Sequence, residues 1–222
     1  MKLLSLILIV ALNGCGVSKV NNTLTCDELN IKTAALIDDY YSTNKTVYID
    51  STLNLLNEGI NRCDDYKKLF SLRKLSALSI RNDYDQAINF INEIDKDMLA
   101  SGPYYLKVVK LRFQAAQMFY ERDSVSGNNY LQNIVDLLDN YIKNNEKEIN
   151  ELFSQSDISV ILQNSMSTAL IQYANYLALI DGRDDTANQL NLLFQSNGWN
   201  MEFYDMIINF IDNEDILIFV GI

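Results

Sequence analysis

Between Met1 and Ile222 the chain has a single proline, Pro103, and only eight glycines. These are the residues that interrupt helices, at a cost of about 3 and about 1 kcal/mol relative to alanine in a helix interior. Long helices are therefore permitted nearly everywhere, and the apolar residues are spaced to use them. Leu131, Ile134, Val135, Leu138 and Ile142 recur at intervals of three and four, and so do Phe203, Met206, Ile207, Phe210 and Ile211. Each set draws one stripe along a helix, whereas the two-residue alternation of strands is nearly absent. Leu106, Val109, Phe113, Ala116 and Tyr120 make a third stripe, and Leu162, Met166, Ala169, Tyr173, Leu177 and Ile180 a long fourth. The expected fold class is all-α. Start and stop chemistry agrees: Thr25-Cys26-Asp27-Glu28 reads as a capping box, Ser101-Gly102-Pro103 sets proline at a first turn, and Gly182 and Gly198 follow helix ends.

The helices also look paired. Leu53-Asn54-Leu55-Leu56-Asn57-Glu58 is echoed thirty-five residues later by Ile88-Asn89-Phe90-Ile91-Asn92-Glu93. Leu75 to Ile88, with its polar break Arg81-Asn82-Asp83 and small Ala87, resembles the middle of a tetratricopeptide repeat. There one helix ends, a tight turn follows, and a second helix opens at a small residue that lets the two approach closely. Tyr176 to Ala187 has the same plan. The resemblance implies antiparallel helix pairs stacked as a solenoid, spanning 26–62, 65–97, 103–144 and 157–197, with a last helix from about 200. No single repeat carries the full motif, so an irregular helical bundle stays open as the alternative.

At the N-terminus, Met1-Lys2 supplies a short positive end and Leu3 to Leu12 an apolar run, the plan of a signal peptide. Ten residues rise about 15 Å as a helix, half of what a membrane-spanning segment must cross. The run ends in Leu12-Asn13-Gly14-Cys15, which resembles the lipobox of bacterial lipoproteins, with Asn13 as the one departure from the small or apolar residue usual there. The resemblance implies that residues 1–14 are a signal peptide that is removed, that Cys15 is acylated, that 15–24 form a lipidated tether, and that 25–222 form the helical domain. The expected address is outside the cytoplasm, lipid-anchored to a bacterial membrane, in the first place the outer membrane at its periplasmic face or surface. The alternative is an ordinary cleaved signal followed by an unrelated cysteine.

Two cysteines remain, Cys26 and Cys63. In an antiparallel hairpin of helices 26–43 and 47–62 the start of the first lies beside the end of the second. In an oxidising compartment the two are then either joined or left as a pair of partly buried thiols.

The chain has no histidine. That excludes Ser-His-Asp and Cys-His nucleophiles, His-ligated zinc and a His general base. The glycines are scattered, so no dinucleotide or phosphate-cradling loop can be assembled. The carboxylates at Glu146, Glu148 and Glu151, at Asp184 and Asp185, and at Asp212, Glu214 and Asp215 fall at expected helix ends and turns, without calcium-loop spacing. No enzyme activity, cofactor or metal is expected. The net charge of −11 argues against a nucleic-acid partner.

The charge is uneven. Residues 62–112 hold ten Lys and Arg against seven Asp and Glu, and 113–222 hold four against sixteen. Lys67, Lys68, Arg73, Lys74, Arg81, Lys107, Lys110 and Arg112 sit on the helices expected at 65–81 and 103–122, with Lys67, Lys74 and Arg81 on one face and Lys107 and Lys110 on another. They either balance acidic neighbours or, with Tyr104 or Tyr105, face a groove that receives an acidic peptide or a chain-terminal carboxylate. Of the adjacent pairs Tyr40-Tyr41 and Tyr104-Tyr105, one member each is expected to point away from the core. The expected function is a membrane-anchored, non-catalytic scaffold or adaptor that binds a protein or peptide partner in the cell envelope. The alternative is a helical inhibitor or immunity lipoprotein whose acidic C-terminal half neutralises a basic partner.

Overall fold

A computed structural model of the protein describes residues 23–94, 102 and 104–212. Eleven α-helices and no strand are found among the described residues: α1 (Cys26–Thr43), α2 (Thr46–Arg62), α3 (Lys67–Ile80), α4 (Tyr84–Glu93), α5 (Tyr105–Tyr120), α6 (Ser124–Asn144), α7 (Glu146–Phe153), α8 (Ile158–Leu162), α9 (Ser165–Asp181), α10 (Arg183–Asn197) and α11 (Met201–Asp212). The protein is all-α. The expected signal peptide, Cys15, the expected tether up to residue 22, Pro103, Glu214, Asp215 and the Asp212 side chain lie outside the described residues. No described helix is long and apolar enough to cross a membrane.

Local chemistry sets the helix ends. The Thr25 hydroxyl accepts from the Glu28 N–H at 3.2 Å, while the Glu28 carboxylate accepts from the Thr25 N–H at 2.7 Å, which completes the capping box at α1. The α3–α4 and α5–α6 turns are built alike. The Asp83 N–H reaches the Leu78 carbonyl and the Asn82 N–H that of Ser79; the Asp123 N–H reaches Met118 and the Arg122 N–H reaches Phe119. This double closure puts Asn82 (φ 57°) and Arg122 (φ 65°) in the left-handed region. The next residue, Asp83 or Asp123, then caps the following helix through the N–H of Gln86 or Ser126.

A small buried residue sits fourth in the helix after each of these turns, Ala87 in α4 and Gly127 in α6. A Cβ on Gly127 would meet the Phe119 ring at 2.7 Å, so glycine lets α6 lie this close to α5 without displacing that ring. In α10 the fourth residue is Thr186, fully buried with its hydroxyl on the Gly182 carbonyl at 2.9 Å. The sequence comparison put Ala187 there. It is half-buried instead, one residue out of register, because α10 starts directly after Gly182 with no polar turn between.

Two apolar cores result, and α5 serves both. Its Val109 and Phe113 pack with Leu29, Leu56, Phe70, Leu78 and Ile91 of α1–α4, while Val108, Ala115 and the preceding Tyr104 pack with α6–α11. In the second core α6 skips the two short helices that follow it and packs on α9, which is buried around most of its circumference. Phe153, Phe194, Trp199 and Phe203 close that core as a cluster with ring centroids 5.1–6.0 Å apart.

The fourth pair departs from expectation. The stripe from Leu162 to Ile180 is broken at Gln163-Asn164, where the Asn164 side chain caps α9 through the Met166 N–H at 2.9 Å and leaves Leu162 44% exposed. Glu146 and Glu148 lie at a helix end, as expected: they occupy the first turn of α7, where they complement its dipole, and Glu151 follows.

Candidate binding cleft between α2, α3 and α4

The first two helix pairs leave a cleft of about 410 Å³ where the C-terminal half of α2, the exposed face of α3 and the last turn of α4 meet. Gly59 on α2 lets Phe70 of α3 approach closely, since a Cβ there would stand 2.6 Å from the ring. The walls are Asn57, Ile60 and Asn61 from α2, Lys67, Ser71 and Lys74 from α3, and Phe90, Glu93 and Ile94 from α4.

Lys74 Nζ stands 3.9 Å from the Phe90 ring centroid, a cation–π contact. Burial pushes its ammonium below the usual lysine range, and the Glu93 charge opposes that shift. Lys67, two turns earlier on α3, has no hydrogen-bond or carboxylate partner among the described residues, and neither do the carboxamides of Asn57 and Asn61. Ser71 is fully buried at the floor. The cleft can thus offer two ammonium groups, two free carboxamides and an apolar wall.

The other cations named from sequence go elsewhere. Arg81 lies past the end of α3 and pairs with Asp50 at 3.0 Å and Asp83 at 2.5 Å, so it does not share the cleft with Lys67 and Lys74. Arg73 turns inward: its Nη1 donates to the Asn30 carbonyl at 2.9 Å, the Asn30 amide oxygen at 3.0 Å and the Thr33 hydroxyl at 2.6 Å, tying α3 to α1. Lys110 Nζ donates to the Asn92 side chain at 2.8 Å, and Lys107 is exposed on α5. Arg112 lies by the Phe113 ring and the buried Tyr176 hydroxyl, whose pKa burial raises to about 12 while Arg112 opposes the rise.

Tyr104 and Tyr105 are not groove residues. Tyr104 is 3% exposed, donates to the Ser165 carbonyl at 2.8 Å and packs on Tyr141 with centroids 4.7 Å apart, and burial raises its pKa strongly. Tyr105 packs against both cores. Neither points away, because a helix wedged between two cores has no free face at this level. In the other pair the expected division is present: Tyr40 packs on the first core and Tyr41 is 70% exposed.

Cys26 and Cys63 form a disulfide, with Cα atoms 5.7 Å apart, and hold the start of α1 to the end of α2. Arg62 donates to the Leu24 carbonyl at 3.0 Å, and Tyr66 to the Asp27 carboxylate. Together with the capping box these contacts fasten the start of α1 to the end of α2, close in the chain to Lys67. Asn57 and Phe90 were visible in the sequence only as parts of the echoed hexapeptides, and Asn61 not at all. The cleft lies between those two copies, on α2 and α4. Comparison of the chain with protein-family models, with curated proteins and with solved structures finds no match.

Proposed function

We propose that the protein is an exported lipoprotein, anchored through Cys15, whose stacked helix pairs act as a non-catalytic adaptor holding a protein or peptide partner of the cell envelope in the α2–α3–α4 cleft. One observation carries this reading: in a chain of net charge −11, Lys67 and Lys74 line a cavity with no carboxylate within 4.0 Å of either among the described residues. Arg81, by contrast, lies outside the cavity and is paired with Asp50 and Asp83. A concave site lined by a few polar groups and an apolar wall is the usual form of a ligand site. The reading differs from the groove expected by sequence in one respect. The cleft opens between the second helices of two pairs and uses only α3 among the first helices.

The test is a photo-reactive amino acid at Asn61, in the protein anchored in its native envelope. A discrete cross-linked adduct at Asn61, absent when the same group stands at Asp185, is the expected result. The second reading, an inhibitor using its acidic half, rests on Glu146, Glu148, Asp184 and Asp185, all exposed on α7 and α10. An adduct at Asp185 and none at Asn61 favours it.

A further inference from the structure

We infer that the cleft is shaped for the free carboxylate at the end of a peptide chain whose last side chain is apolar. This rests on the cleft reading above and names its ligand.

Charge sets the first limit. Lys67 and Lys74 contribute two positive charges and Glu93 one negative, so the lining carries a net charge of one. A single carboxylate balances it. A phosphate or an acidic run would bring surplus negative charge against Glu93, and like charges at close range destabilise. Geometry sets the second. Seven residues along α3 amount to about 10.5 Å of rise, and two lysine stems on one face can close that gap on one anion. Lys74 is already held against Phe90 and partly out of water, which strengthens a charge-assisted hydrogen bond to a carboxylate.

The uncharged groups identify what carries that carboxylate. Asn57 and Asn61 stand one turn apart on α2, and each free carboxamide offers a donor and an acceptor. A peptide unit presents the complementary pair. Ile60, Phe90 and Ile94 form the apolar wall against which the last side chain rests. A fatty acid has the same charge and an apolar tail, but nothing in it engages the two carboxamides.

The experiment uses the full chain and three probes: a pool of tagged random octapeptides with free C-terminal carboxylates, the same pool amidated, and a medium-chain fatty acid. The expected result is enrichment, from the free-acid pool alone, of peptides ending in Leu, Ile, Val or Phe. Affinity then falls by at least about tenfold, which corresponds to about 1.4 kcal/mol, on amidation and again in Lys67→Met or Lys74→Met, with the helical circular-dichroism signal unchanged. Enrichment from neither pool, or preference for the fatty acid, overturns the inference. Peptides taken equally from both pools, with binding lost in Lys74→Met, overturn the terminal carboxylate and leave the cleft reading standing. Binding indifferent to both Met variants and to Phe90→Ala overturns both.

Discussion

Arg73 on α3 donates from Nη1 to the hydroxyl of Thr33 on α1 at 2.6 Å, across forty residues of chain. Thr33 is fully buried, and the same nitrogen also meets two oxygens of Asn30. Hydrogen bonds to a charged group contribute about 1.5–3 kcal/mol, so Arg73→Met is expected to lower unfolding stability by that order. Chemical denaturation checks it as a lower midpoint with an unchanged slope. Arg73→Lys should recover little, because an ammonium does not reproduce the planar guanidinium fork.

A second prediction concerns α9. Both amide atoms of Asn175 and the Gln172 side-chain oxygen are buried with no hydrogen-bond partner. An unsatisfied buried polar group costs about 1–3 kcal/mol, so Asn175→Leu should raise the thermal midpoint. A fall instead would mean that the amide is satisfied by an internal water or a partner.

The disulfide closes a loop with a sequence separation of 37. On the chain-entropy model a loop of that length contributes roughly 4 kcal/mol. Replacing both cysteines, Cys26→Ala with Cys63→Ala, should lower stability by about that amount and loosen the start of α1 first, which hydrogen exchange at Asp27–Asn30 would report.

Acid should weaken the helix starts in a defined window. The Thr25 N–H and hydroxyl hold Glu28 below the ordinary carboxylate range; Ser126 does so for Asp123 and Ser159 for Asp157, in both cases through side chain first and N–H second. A depressed folded pKa means the contribution is fully present above the unfolded value, about 4, and is lost as pH falls through the folded one. The variant Glu28→Gln, Asp123→Asn, Asp157→Asn keeps capping side chains that do not titrate. Its thermal midpoint should fall less steeply than the wild type's as pH drops below about 4.5. Parallel curves would contradict the assignment.

The sequence showed the all-α class, the first hairpin to within about a residue and the third pair, because these rest on local signals: stripe spacing, capping chemistry and turn residues. It misplaced what tertiary packing decides. Tyr104 and Tyr105 read as candidates for a groove because adjacency puts two rings on different faces of α5, and nothing local says that both faces are covered. Lys67, Lys74 and Arg81 share a heptad position, but α3 stops at Ile80 and Arg81 turns to Asp50, thirty-one residues away. The break before α9 depends on Asn164 acting as a cap within an apolar run. The cleft itself was half legible: its cations stood out by charge, while its two carboxamides, Asn57 and Asn61, are neutral residues on α2 that no local signal sets apart.

If the cleft, rather than the acidic half, holds an envelope partner, charge changes in the two places must act differently. The most direct measurement is quantitative capture from the native envelope with the anchored protein, comparing wild type, Lys67→Met/Lys74→Met and Asp184→Lys/Asp185→Lys, each verified as folded by circular dichroism and thermal midpoint. Loss of the captured partner in the lysine variant, with retention in the aspartate variant, is the predicted result. Retention in the lysine variant with loss in the aspartate variant would contradict the claim and move the binding surface to α10.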